Sequence, residues 1–242
     1  MKGLKIWVGT LSVALVLSAC GGMSNTGKGA LIGTAAGGAA GTGVGALIGH
    51  FVGGSKGTKM GAIIGAAAGS AVGATAGTLI GRKMDKAAAA AKALEAAEVE
   101  KTKDSNGLDA VKVTFDNGIL FAQNKATLKA DAQSALKKFA SNVLNVYTDC
   151  DVSICGFASS EGKADYNMTL SQNRANAVTN YLTGTCGVAS KQIKATTGYG
   201  ADENFLIKDE NGVEDRAASR RVEVYLYASD AMIKAAEAGT LQ

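Results

Sequence analysis

Asn167-Met168-Thr169-Leu170-Ser171-Gln172-Asn173-Arg174-Ala175 decides how the chain is read. It lies in Tyr166 to Leu182, which lacks Gly and Pro and carries Leu170, Val178 and Leu182 at helical spacing. The stretch therefore predicts a helix with one apolar stripe. Arg174 falls on that stripe, where a hydrophobe belongs. A buried charge is costly unless it is paired. Arg174 is thus either a member of a structural ion pair or an anion-binding residue.

Working outward, the neighbouring segments supply a sheet. Val111-Lys112-Val113-Thr114-Phe115 alternates as a strand does, Asp116-Asn117-Gly118 has turn composition, and Ile119-Leu120-Phe121 follows. Ala132, Leu136, Phe139, Ala140, Val143 and Leu144 recur at helical spacing. Val152, Ile154 and Gly156 mark a second strand, and Ile193 to Tyr199 and Val222 to Tyr227 mark two more. The order is β-α-β-α-β-β over residues 107–228. It predicts an α+β domain with helices on one sheet face. Residues 229–242 form a C-terminal tail, in which Ala231 to Ala238 is either a small helix or a frayed end.

Several spaced motifs here carry a family resemblance. Asn167 to Ala175 resembles the NxxLSxxRA signature of the OmpA-family C-terminal domain, which binds peptidoglycan. Tyr199-Gly200 resembles its GYG element, Ser219-Arg220-Arg221-Val222-Glu223 its NRRVE ending, and Val113 to Phe121 its entry strand. The resemblance covers about residues 97–228. It implies an Asp and an Arg that grip the diaminopimelate of the peptide stem, a carboxylate for the ammonium and a guanidinium for the carboxylate. Arg174 matches the arginine. The Asp belongs to a GHTDSxG loop, which here reads Gly156-Phe157-Ala158-Ser159-Ser160-Glu161-Gly162 and puts Ser159 at the Asp position. Ser219 likewise replaces the usual Asn. A hydroxyl brings no charge, so either Glu161 supplies the missing carboxylate or the domain has turned from murein to protein partners. The resemblance thus implies a peptidoglycan-binding set of Arg174, Ser159, Glu161, Asn167 and Arg220, with altered ligand chemistry.

Upstream, Arg82-Lys83-Met84-Asp85-Lys86 opens an Ala-rich run of strong helix formers reaching about Glu98. Residues 83–106 are read as a helical connector, a solvated spacer of roughly 25 Å. Before it, glycine recurs at every fourth residue from Gly29 to Gly81, and 18 of the 32 glycines lie in residues 27–81. Lys28 and Lys56 bracket a charge-free run of 27 residues, and Lys59 and Arg82 one of 22. As helices both exceed the roughly 30 Å of a hydrocarbon core. Gly53 to Lys59 has turn composition, so residues 29–82 predict a helical hairpin. Glycine at about 1 kcal/mol each makes a poor helix in water. Small-xxx-small spacing in lipid lets two helices pack closely. The pattern resembles the glycine-zipper hairpins of outer-membrane lipoproteins and implies possible self-association; a flexible linker or an interfacial hairpin are the alternatives.

The first residues are an address. Lys2 and Lys5 precede an apolar run from Ile6 to Leu17, and Leu17-Ser18-Ala19-Cys20 resembles a lipobox. The reading is a signal peptide over 1–19 and a lipidated N-terminus over 20–28, with diacylglycerol and an N-acyl chain on Cys20. Gly21, not Asp, follows the cysteine, which points to the outer membrane facing the periplasm.

Composition closes other doors. Cleavage would remove two of the 25 basic residues and none of the 21 acidic ones, leaving +2, which is no nucleic-acid footprint. A single His, His50 inside the glycine ladder, leaves no Ser-His-Asp or Cys-His site and no multi-histidine zinc site. No cofactor or metal is expected, and a hydrolase resting on Glu161 and Asp165 lacks a nucleophile with a base. Cys150, Cys155 and Cys186 remain in an oxidising compartment, and strand parity predicts a Cys150–Cys186 disulfide with Cys155 free. The leading expectation is a non-enzymatic tether between outer membrane and peptidoglycan. The alternative is a membrane-organising scaffold whose sheet domain no longer binds the wall.

Overall fold

The structure, a computed structural model, describes residues 73–104 and 106–241. The signal segment, Cys20 and residues 29–72 of the expected hairpin lie outside the described residues. Six helices and five strands follow in order: α1 (Ala74–Lys92), β1 (Glu98–Lys103), β2 (Asp109–Asp116), α2 (Asn117–Leu120), α3 (Ala130–Phe139), β3 (Cys150–Gly156), α4 (Ala164–Gly184), β4 (Ile193–Gly198), α5 (Arg216–Ser219), β5 (Arg221–Ala228) and α6 (Asp230–Glu237). A π-helical turn, Ala140–Leu144, extends α3.

The sheet runs β1-β2-β5-β3-β4. β3 and β4 are parallel, and the remaining pairs are antiparallel. Alternation sorts the side chains. Val111, Val113, Phe115, Val152, Ile154, Val222, Val224 and Leu226 join one buried cluster with the apolar residues of the longer helices. The opposite face carries a smaller cluster of Ala110, Cys155, Phe157, Tyr225 and Tyr227, with Tyr199 and Phe205 against it. The expected β-α-β-α-β-β frame, with these helices on one sheet face, is present.

The N-terminal flank departs from expectation. α1 begins within the glycine ladder at Ala74 and buries Ile80, Met84, Ala87, Ala88 and Ala91 in the main core. It is not a solvated spacer. Its alanines are small enough to let the helix lie close to the sheet and α6, and Lys83 pairs with Asp149 at 2.6 Å. Beyond it, Glu98–Lys103 forms the edge strand β1 within the segment read as connector. The C-terminal segment is no loose tail either. Ser229 caps α6 by accepting the Met232 N–H, and Met232 and Ala236 are buried in the same cluster. Among the described residues, no helix is long and apolar enough to cross a membrane.

The expected Cys150–Cys186 bridge is not formed: Cys150, Cys155 and Cys186 are free thiols. Cys150 points into the helix-side core, and burial pushes its thiol up to about 12. Cys186 sits half-buried after α4, where burial raises its pKa and the Tyr181 hydroxyl lowers it.

The β1–β2 turn holds a buried acid. Asp104 Oδ1 accepts the N–H groups of Asn106 and Leu108 at 2.8 and 2.9 Å, while Oδ2 is buried without a partner. Burial raises its pKa from 3.8 to about 7, against the pull of those two N–H groups. A carboxyl with a raised folded pKa binds protons that the unfolded chain has released, so stability falls as pH rises from about 4 to about 7. The expected loss is on the order of 2–4 kcal/mol. Asp104→Asn should flatten this slope in urea titrations run from pH 4 to pH 8, since it keeps the acceptor and removes the ionisation. An unchanged slope would assign the pH dependence to another group.

Candidate functional site

α4 sets the site, and its placement depends on two glycines. Gly156 of β3 pairs with Gly198 of β4. A Cβ on Gly156 would stand 2.2 Å from the Ser171 carbonyl oxygen, and one on Gly198 would stand 2.2 Å from the Gln172 nitrogen. The helix backbone therefore rests directly on the sheet. Ser171 Oγ accepts the Gly200 N–H at 2.8 Å, and Gln172 Oε1 accepts the Gly198 N–H at 2.8 Å. This contact also moves the buried stripe, which runs through Asn167, Ser171, Arg174, Ala175, Val178 and Leu182. Leu170, expected on it, is only half-buried.

Arg174, one turn further on, is 2% exposed. Its Nε donates to the Lys125 carbonyl at 3.0 Å, and its guanidinium lies 5.4 Å from the centroid of the Phe121 ring. Among the described residues no carboxylate pairs with it. Burial lowers its pKa, the neighbouring Tyr166 hydroxyl opposes that shift, and Arg220 adds to it. The structural ion pair left open by the sequence is thus absent, and the buried charge is uncompensated.

The Gly156–Gly162 loop forms the facing wall. Asn167 Nδ2 donates to the carbonyls of Ser159 and Glu161 at 3.1 and 2.9 Å. Both amide hydrogens are thereby used, so Asn167 shapes the loop from behind. Ser159 is buried, and its Oγ accepts from Arg220 Nη1 at 3.4 Å. Arg220 also lies 3.8 Å from the Glu161 carboxylate, which is 66% exposed. The structure therefore joins Ser159, Glu161 and Arg220 directly, and joins Arg174 to them through the electrostatic influence of Arg220.

Other contributors were not legible in the sequence. Glu214, from the loop before α5, accepts the Ser160 N–H at 3.0 Å and also its hydroxyl. These bonds, with that from Ser219, outweigh burial and hold its pKa below the usual value. Lys125 and Phe121 hold Arg174 from a loop about 50 residues away in sequence, which no local pattern marks. Ser219, the second departure from the family motif, is fully buried behind Glu214, and its Oγ accepts the Ile207 N–H at 3.0 Å. Arg221, beside it, forms a buried pair with Glu223 at 2.6 Å and lies 4.2 Å over the Phe157 ring.

Residues 120–220 match the model of the OmpA family. Over these residues the sheet domain is similar to the OmpA family. Residues 1–85 match the YMGG-like Gly-zipper model, which takes in the glycine ladder. The OmpA-family region is similar to the "Probable lipoprotein YiaD" of Escherichia coli, 35% identical over 118 residues that cover 49% of this chain and 52% of that protein. It is similar to "Outer membrane porin F" of Pseudomonas aeruginosa, 33% identical over 124 residues that cover 50% of this chain and 34% of that protein. The chain spans about half or less of the length of these curated relatives. Among solved structures, the cell wall anchor of the T6SS from Pseudomonas aeruginosa aligns with a TM-score of 0.46 and 26% identity, over 60% of this chain and 97% of that one. The peptidoglycan-associated lipoprotein from Burkholderia pseudomallei aligns with a TM-score of 0.38 and 23% identity, over 45% of this chain and 88% of that one.

Proposed function

We propose that this chain anchors the cell envelope non-covalently, its OmpA-family domain binding peptidoglycan through a stem-peptide carboxylate at Arg174. The observation that carries the reading is the guanidinium itself, 2% exposed and without a carboxylate partner. A desolvated charge of this kind costs stability unless something pairs with it. An anion seated at Arg174 removes that cost and gains charge-assisted hydrogen bonds. Arg220 and the Asn167-braced loop stand beside it to orient the ligand. The lipobox at Cys20 and the glycine zipper support the other half of the reading, attachment to the outer membrane on its periplasmic side. In this reading the protein is a tether, not an enzyme, and the zipper packs in lipid or against a second copy.

The full chain in detergent micelles should sediment with purified peptidoglycan, and soluble diaminopimelate-containing stem peptide should release it. A wild-type chain that stays in the supernatant overturns the reading.

A further inference from the structure

The charges of the site specify the ligand more closely than wall binding alone does. Resting on that reading, we infer that the site selects stem peptides whose diaminopimelate side-chain amine is acylated, as at a cross-link, over stems in which that amine is free.

The argument is one of charge and hydrogen bonding. Two guanidiniums, Arg174 and Arg220, stand near enough that the charge of Arg220 adds to the lowering of the Arg174 pKa by burial, and further positive charge there is disfavoured. Among the described residues Glu161 is the one carboxylate paired with either guanidinium, and it lies 3.8 Å from Arg220. Arg174, Arg220 and Glu161 together sum to a net single positive charge. Glu161 is also 66% exposed, so water screens what it offers to a second cation. Glu214, the other nearby acid, is taken by the Ser160 N–H and hydroxyl.

Ser159 occupies the deep position in the loop, buried and in contact with Arg220. Its hydroxyl accepts a hydrogen bond from an amide N–H without needing charge. A free diaminopimelate end is a zwitterion, and it would bring an ammonium against Arg220 with no carboxylate at Ser159 to hold it. Like charges set side by side are strongly disfavoured at a binding surface. An acylated end keeps the carboxylate for Arg174, replaces the ammonium by a neutral N–H, and brings no cation against Arg220.

The experiment compares two soluble stem peptides that differ only in acetylation of the diaminopimelate side-chain amine, titrated calorimetrically against the full chain in micelles. Wild type should bind the acetylated peptide about tenfold more tightly. Ser159→Asp, which supplies a carboxylate at the loop, should invert the preference. Equal or tighter binding of the free-amine peptide by wild type overturns this inference and leaves the wall-binding reading standing. Failure of both peptides to bind overturns the two together. The wild-type comparison decides the matter even where Ser159→Asp folds poorly.

Discussion

Arg174→Ala should abolish co-sedimentation with peptidoglycan while leaving the domain about as stable as before. Binding and stability separate here because of how the guanidinium is held. Its Nε bond to the Lys125 carbonyl and its approach to Phe121 stabilise the fold, and its desolvation without a carboxylate works against it. Removing the side chain deletes both contributions, so the free energy of unfolding should change by no more than about 1 kcal/mol. Ligand binding has no such compensation. A charge-assisted hydrogen bond contributes about 1.5–3 kcal/mol, so affinity for a soluble stem peptide should fall by at least about tenfold. Arg174→Lys should recover only part of it, since an ammonium cannot offer the planar fork that a carboxylate accepts. Sedimentation of Arg174→Ala at the wild-type level would remove Arg174 from the site.

Gly198→Ala should damage stability and binding together. The added Cβ meets the Gln172 nitrogen at 2.2 Å and its Cα at 2.6 Å, which are backbone atoms of a long helix and cannot turn aside. Relief requires α4 to lift from β4. That breaks the Gln172–Gly198 and Ser171–Gly200 hydrogen bonds and opens the core beneath Ala175 and Val178. Overpacking of this kind costs about 3 kcal/mol or more. The displaced helix carries Arg174 with it, so stem-peptide affinity should drop even in the folded fraction. Guanidinium titration and calorimetry on the same preparation check both effects. A midpoint within experimental error of wild type would show that the helix does not rest on the sheet at this point.

What the sequence disclosed follows from the range over which each signal acts. Four strands were legible: β2 from its alternation, and β3 and β5, buried along nearly their whole length, from short β-branched and aromatic runs, with β4 similarly marked. β1 was not: Glu98-Val99-Glu100-Lys101-Thr102-Lys103 carries one hydrophobe, as befits an edge strand whose charges discourage further pairing. α1 was legible as a helix but not as part of the core. Alanine is both a good helix former and a small buried residue, and only the packing partner tells the two uses apart. Arg174 stood out because it broke a local stripe. Lys125 and Glu214 did not, because they reach the site through loops, and loop contacts leave no periodic trace; Ser159 and Arg220 were named only through the family motifs. The serine at residue 159 was visible. Its consequence became arguable only with Arg220 and Glu161 placed beside it. The cysteine pairing failed for a related reason, since strand parity says which face a thiol takes and nothing of how far its partner stands.

The burial of α1 bears on how such a domain would carry load. A pull applied at residue 73 runs along the helix axis into Ile80, Met84, Ala87 and Ala91, which share one cluster with Val178 and Leu182 of the helix that presents Arg174. The lateral ties of Lys83 to Asp149 and Lys101 to Asp85 lie across the same joint. Tension therefore arrives as shear over a broad packed surface and is not spent unzipping strands one rung at a time. The point of traction and the point of grip are joined through a single core, and the tensile strength of the joint is the cohesion of that core.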